Sequence, residues 1–290
     1  MKFKPVNTDI SSSDTITNAM SIDVEDYFQV SAFENSISRE NWDRFECRVE
    51  RNVNTLLDLL DESNSKATFF TLGWLAERYP DLVRSMVDRG HELASHGYQH
   101  MRVFNQTPDE FLADIKKTKV ILEDLGGQTV EGYRAASFSI DGRNLWAYDC
   151  LAEAGYKYSS SIYPLKHDHY GMPDAPRFSF RFESNSLLEI PITTVDMMGR
   201  TMPAGGGGSF RFFPYAFSRS LIKKVNAHDR RSTIFYLHPW EIDPQQPKQN
   251  GMPFKSRVRH YLNLSQTKNR LRKLLSDFNW DRMDTVFSVD

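Results

Sequence analysis

This chain of 290 residues predicts an α/β fold in which parallel strands close into a complete or distorted (β/α) barrel. Three observations carry that expectation. Short apolar, β-branched segments alternate with amphipathic segments of roughly 12–18 residues, the pattern of strands joined by helical crossovers. Ionisable residues gather just past the strand segments, where sites form in such folds. The composition is 40 % apolar and 26 % charged, ordinary for a globular chain long enough for one large domain or two small ones.

The first 18 residues read as a flexible tail, and 19–290 as a single domain. Ala19 to Val24 is a buried strand ending in acidic residues. Val53, Leu56, Leu57, Leu59 and Leu60 recur at helical spacing over Arg48 to Leu60. Lys66 to Leu72 is β-branched and aromatic, hence a strand. Leu75 to Arg89 is helical, with Pro80 at a break or a new first turn. His91 to Ser95 is a short strand. Thr107 and Glu110 form a capping pattern for a helix that runs to about Leu125 and stops at Gly126-Gly127. A strand over Gly132 to Arg134, a helix over Arg143 to Ala154 and a strand over Tyr156 to Ser160 follow. Residues 164–215 form a loop-rich insertion with a Gly205–Gly208 run. Ile234 to Leu237 returns to strand. Residues 255–290 are a helical extension, one amphipathic helix over Arg257 to Phe278 burying Leu262, Leu264, Leu271, Leu274 and Leu275.

The net charge of -2 argues against a nucleic-acid partner, which would call for a basic excess. Arg270, Arg272 and Lys273 read as a solvated helix face. Cys47 and Cys150 are too few for a disulfide framework and read as free thiols. The polar first 20 residues lack the apolar core of a leader, and no run matches a membrane span. The expectation is a cytoplasmic protein. Oligomeric state is open.

Four constellations carry chemistry. Asp23, Glu25 and Asp26 crowd a strand end, where carboxylates buried together need a cation or a raised pKa. His96 and His100 lie four apart on a turn, as a divalent-metal pair requires. Arg134 ends a strand as a partner for a buried carboxylate. His238 follows an apolar strand at the same rim. Singly, each is as easily structural. Together they are the parts of a mononuclear metal hydrolase: two His and a carboxylate on the metal, a second carboxylate as base, and a second His as acid.

With those residues in place, the sequence resembles the polysaccharide deacetylases of carbohydrate esterase family 4, the NodB-like deacetylases, from about Met20 to Trp240. GHELASHGYQHMRVFNQTPDEF carries the most specific match. SIDVEDYFQVSAFE, GGGGSFRFFPY and HYLNLSQTKNRLRKLLSDF resemble a subgroup found with bacterial exopolysaccharide and exosortase gene clusters. The resemblance implies a distorted barrel of the polysaccharide deacetylase type and the hydrolysis of N-acetyl groups from an N-acetylated glycan, with one divalent metal ion, zinc by expectation. It implies Asp23 as general base, His96 and His100 as metal ligands, Arg134 as the holder of the base, His238 as general acid, and a backbone N–H at Ser137 for the oxyanion. Val24 stands where the family has a second adjacent Asp, so the third ligand is Glu25 or Asp26. Strand alternation favours Glu25; a turn after Asp23 favours Asp26, towards which the family's usual Asp ligand leans. Gly97 and Ala136 replace a small hydroxyl residue and a Pro. The family's Asp–Trp motif is not distinct, with Asp168 or Asp196 as stand-ins for its Asp.

Tyr98, Tyr163 and Trp240 are expected either to stack on sugar faces or to pack the core. The Gly205–Gly208 loop, with Arg211 beside it, is expected either to close over a sugar chain or to be a plain turn. Two rival readings remain: hydrolysis of another non-peptide C–N bond, and a sugar-binding relative that has lost catalysis. A cytoplasmic deacetylase would act on a free or membrane-associated precursor.

Overall fold

The computed structural model describes residues 3–6, 15–166, 171–183, 185–197, 199–251 and 253–289. Its strands are β1 (Phe3–Pro5), β2 (Thr17–Val24), β3 (Thr68–Thr71), β4 (Glu92–Ser95), β5 (Gly132–Tyr133), β6 (Tyr158–Ser159), β7 (Phe180–Phe182), β8 (Leu188–Glu189), β9 (Thr194–Met197), β10 (Arg200–Pro203), β11 (Ile234–Leu237) and β12 (Asn279–Asp281). The main sheet runs β1-β7-β8-β6-β5-β4-β3-β2-β11, with β12 also on β2, and β9 and β10 form a separate hairpin. From β8 to β11 every pair is parallel; β1 and β7 add an antiparallel edge.

Alternation of side chains places the two cores. Met20, Ile22 and Val24 on β2, Phe69 on β3, Leu93 on β4, and Phe235 and Leu237 on β11 join the larger core, shared with the helices. The intervening residues Ala19, Phe70, Ala94, Tyr158, Leu188, Ile234 and Tyr236 form a second cluster together with Ile190 and Ile192. That cluster joins strands from both halves of the ladder, as the interior of a barrel does. Closure is irregular. Ile192 N–H donates to the Ile162 carbonyl, Ile234 N–H to Thr193 Oγ1 at 2.7 Å, and Tyr236 N–H to the Gly205 carbonyl. Single bonds from residues 190–206 thus replace a ladder between β8 and β11, which gives the expected α/β barrel its distortion.

The helices follow their caps and breakers. Thr107 and Glu110 form a reciprocal capping box for Pro108–Gly126, which ends at Gly127 with φ +64°. Pro80, without an N–H, splits the expected Leu75 to Arg89 helix into Gly73–Arg78 and Pro80–Asp88. The expected Arg257 to Phe278 helix is likewise two, Phe254–Tyr261 and Leu264–Asp277, broken at Asn263 in the left-handed region with φ +53°. Leu264, Leu271, Leu274 and Leu275 are buried as expected, whereas Leu262, at the break, is half-buried. Strand β12 and a short helix, Met283–Val286, follow, so residues 255–290 are not all helical.

Two other expectations change. Phe3–Pro5, read as part of a tail, pairs with β7, where Phe3 packs edge-on against Phe180 and Phe182. Residues 164–215, read as an insertion, contain β7 and β8, which extend the main sheet. Their short alternations among Pro, Gly and Ser conceal them from periodicity.

At the end of the barrel away from the site, Glu92 accepts hydrogen bonds from Thr68 Oγ1, Tyr158 OH and Asp284 N–H. Burial, with Asp284 adding to it, pushes its carboxyl up to about 7. A carboxyl raised in the fold contributes stability below its unfolded pKa and loses it as pH rises through the folded value. Thermal unfolding should therefore show stability falling between about pH 5 and pH 8, and Glu92→Gln, which keeps the neutral shape, should flatten that fall.

Candidate active site

The interior parity of each strand continues past its end. Ala19, Ser21, Asp23 and Glu25 form one row, Ala94 and His96 another, and Ile234, Tyr236 and His238 a third. The last member of each row faces the others at the carboxyl end of the barrel.

Arg134 is fully buried and organises the floor. Its Nη1 donates to Asp23 Oδ1 at 2.5 Å and to Ser21 Oγ at 2.9 Å, and its Nε and Nη2 to the backbone and hydroxyl oxygens of Ser160. The guanidinium lies 4.0 Å from the centre of the Phe70 ring. Arg134 also turns His96, whose Nδ1 donates to the Arg134 carbonyl at 2.8 Å. That bond fixes the tautomer and leaves the Nε2 lone pair free. Burial pushes the His96 imidazole down to about 4, so it is neutral at neutral pH.

Glu25, His96 and His100 bring one ligand atom each to within 4.8 Å of one another, and all three are buried. Glu25 Oε2 lies 3.0 Å from His100 Nε2 yet makes no hydrogen bond. A buried carboxylate oxygen left without a donor is costly unless a cation satisfies it. Burial works to raise the Glu25 carboxyl, but His100, His238 and His96 together outweigh it and hold it at about 2. An anionic carboxylate beside two imidazoles is a donor set for a divalent ion.

Asp26 points the other way. Its carboxylate accepts from the backbone N–H groups of Tyr27, Arg48 and Val49, and so caps the Val49–Glu62 helix. The leaning towards Asp26 as third ligand is corrected: the strand's alternation persists to Glu25 and sends Asp26 to the opposite face.

His238 faces the three from β11. Its Nε2 lies 3.3 Å from Glu25 Oε1 and 3.9 Å from Asp23 Oδ2, and its Nδ1 donates to Glu241 Oε1 at 2.8 Å. Burial works to lower this imidazole, but Glu25 and Glu241 outweigh it and lift it to about 9, so it carries a proton at neutral pH. Glu241 is itself clamped by Arg211 Nε at 2.6 Å. Glu241 was not among the residues singled out from the sequence; its signal was the HPWE spacing, a carboxylate three residues after the His on one helical turn. Glu241→Gln should lower kcat by roughly a hundredfold. It should also move the alkaline limb of the pH–rate profile to lower pH, because His238 then gives up its proton earlier. An unchanged limb would make Glu241 merely structural.

Residues 41–159 match the family model described as polysaccharide deacetylase, and residues 160–288 match a domain of unknown function, DUF3473. Residues 41–159 thus carry a polysaccharide deacetylase domain. A peptidoglycan-N-acetylglucosamine deacetylase of Bacillus cereus is 40 % identical over 72 residues, 25 % of this chain and 26 % of that protein. A peptidoglycan deacetylase of Helicobacter pylori is 27 % identical over 113 residues, 39 % of this chain and 38 % of that protein. The matches thus span well under half of these relatives. A Mycobacterium smegmatis structure, provisionally described as a polysaccharide deacetylase, superposes with a TM-score of 0.63 at 20 % identity, over 99 % of this chain and 95 % of its own. That likeness speaks for the fold alone. His96, His100 and Arg134 lie in that polysaccharide deacetylase domain. His238, Glu241 and Arg211 lie in the domain of unknown function, and Asp23 and Glu25 precede both.

The residues expected to touch a sugar are otherwise engaged. Tyr98 is half-buried, with its hydroxyl on Glu77 and Lys117 Nζ 3.2 Å from its ring centre. Trp240 is only 6 % exposed and stacks on His238 and His260, its Nε1 directed at Glu25 Oε1. Arg211 is buried on Glu241 and on the carbonyls of Arg259, His260 and Leu262. Tyr163 packs in the barrel interior. All four were candidates for carbohydrate contact because aromatic and cationic types suit it; Trp240, Arg211 and Tyr163 are packed into the site or the core, whereas Tyr98 lies half-buried beside Glu77 and Lys117. Ser137 is half-buried at φ +53° and bonds through its hydroxyl to Ser31. Asp196 lies on the β9–β10 hairpin with Thr201 and Arg177, away from the site. Asp168 lies outside the described residues.

The glycine run is neither lid nor plain turn. A Cβ at Gly205 would stand 2.1 Å from the Ile234 carbonyl oxygen, and one at Gly207 2.3 Å from Glu241 Oε1. The run lets backbone close the barrel and lets Glu241 reach His238. Gly97 has a similar cause: φ is +75°, and its Cβ would press on Asp114, which holds the Tyr98 N–H.

Proposed function

We propose that this chain is a metal-dependent N-deacetylase of an N-acetylated glycan, releasing acetate and a free amine. The observation that carries the reading is the meeting of Glu25, His96 and His100 with the Asp23 carboxylate clamped by Arg134 and the His238 imidazole clamped by Glu241 at one barrel end. Curated relatives named as deacetylases of peptidoglycan N-acetylglucosamine and of chitin support it.

Glu25 Oε2, His96 Nε2 and His100 Nε2 would hold a divalent ion, zinc by preference for two imidazoles and a carboxylate, although this set also suits cobalt or nickel. Such an ion supplies Lewis-acid polarisation of the acetyl carbonyl. Asp23, held by Arg134, accepts the proton of the attacking water. His238 gives its Nε2 proton to the departing amine, a poor leaving group that needs an acid. Glu241 keeps the His238 ring in place and charged while this happens. The resemblance assigns a backbone N–H at Ser137 to the developing oxyanion, where one such donor would be worth about 3–4 kcal/mol.

The substrate class is tested by offering N-acetylglucosamine oligomers beside cyclic ureides. Acetate from the oligomers supports a glycan deacetylase. Ring opening of the ureides without acetate would move the assignment to another C–N hydrolase.

A further inference from the structure

The net charge of -2 is unevenly placed: from Pro244 to Ser276 the chain has eight Lys and Arg and no Asp or Glu. Arg270 Nη1 donates to the carbonyls of Phe210, Arg211 and Phe213, and Arg272 pairs with Glu62. Three others, Lys255, Arg257 and Arg259, stand exposed on the Phe254–Tyr261 helix.

The same helix exposes apolar surface. Phe254 is 82 % exposed and Val258 44 %, four residues apart on one face. Helical geometry puts Lys255 and Arg259 on one flank of that stripe and Arg257 on the other. Phe212, 68 % exposed, adjoins Arg211, whose guanidinium binds the carbonyls at the end of this helix. Among the described residues, three of the four large exposed apolar side chains therefore belong to this corner, the fourth being Val120. A solvated face accounts for the cations but not for an open phenylalanine. A soluble polyanion would pair with the cations and leave Phe254 in water. A surface that is anionic outside and apolar beneath satisfies both.

We propose that the Phe254–Tyr261 helix is a peripheral docking element for an anionic lipid bilayer. Phe254 and Val258 enter the interface, and Lys255, Arg257 and Arg259 meet the headgroups. Eight helical residues span only about 12 Å, so the helix lies along the surface. The inner face of the helix is tied to the site. His260 is buried, bonds Gln246 through Nε2 at 2.7 Å and stacks on Trp240 at 4.3 Å, which stacks in turn on His238. Docking thus sets His238 two rings from the membrane side. That it presents the site to a lipid-carried glycan rests on the deacetylase reading; the docking itself does not.

The test is co-sedimentation of the full chain with vesicles of phosphatidylcholine alone or mixed with phosphatidylglycerol, at low and high salt. Binding is expected to the anionic vesicles and to weaken with salt. Phe254→Ser with Val258→Ser should weaken it roughly tenfold or more. Lys255→Gln and Arg257→Gln should each weaken it roughly fivefold. Circular dichroism should be unchanged in all of these. Absent binding, or equal binding to both vesicle types, would overturn the proposal. So would a Phe254/Val258 variant that binds as the parent does while the cation variants lose a soluble anionic polysaccharide, which would make the face a polyanion site. The readout needs no turnover, so a failed deacetylase assay leaves it standing.

Discussion

Glu25→Ala should abolish stoichiometric metal binding and lower acetate release at least about a thousandfold, the several kcal/mol that a Lewis acid supplies. Its neighbour should behave oppositely. Asp26→Ala removes an acceptor from the backbone N–H of Tyr27 and from those of Arg48 and Val49 at the start of the Val49–Glu62 helix. It should cost roughly 2–4 kcal/mol of stability while the folded fraction still binds metal. Metal analysis beside thermal unfolding separates the two. Metal retained by the Glu25 variant and lost by the Asp26 variant would return the ligand role to Asp26.

Asp23→Asn carries the second large effect. Loss of the proton acceptor should lower kcat by about 100- to 10,000-fold with metal still bound. The same change leaves the Arg134 guanidinium, 0 % exposed, without its counter-charge. Breaking a buried pair typically costs about 3–5 kcal/mol, so the unfolding midpoint should fall as well. Arg134→Met should show a comparable loss of stability and a smaller loss of rate, because the carboxylate remains. A rate unchanged in Asp23→Asn would pass the base role to another group.

Part of the candidate site's grouping was legible in the sequence through strand parity, although the leaning towards Asp26 set that rule aside. Once Ala19 to Val24 reads as a buried strand, Asp23 and Glu25 must share a side, and His238 must extend the row of Tyr236. His96, His100 and Arg134 followed from their positions just past strands. What was not legible depends on long-range contact. The cap from Asp26 to Val49 joins residues 23 apart, and the clamp from Arg211 to Glu241 joins residues 30 apart. Side-chain type alone made Tyr98, Trp240 and Arg211 look like sugar contacts. Their partners, Glu77, His260 and Glu241, are brought to them only by the fold. The strands β7 and β8 escaped because their three and two residues lie in a stretch rich in Pro, Gly and polar residues, which reads as loop.

The most direct measurement is a zinc titration of chelator-stripped protein, with bound metal and acetate release from an N-acetylglucosamine oligomer followed in the same samples. Acetate should rise in proportion to occupancy, level off at one equivalent, and vanish in His96→Ala. Acetate that is indifferent to metal, or a site filled at one equivalent that releases none, would contradict a metal-dependent deacetylase.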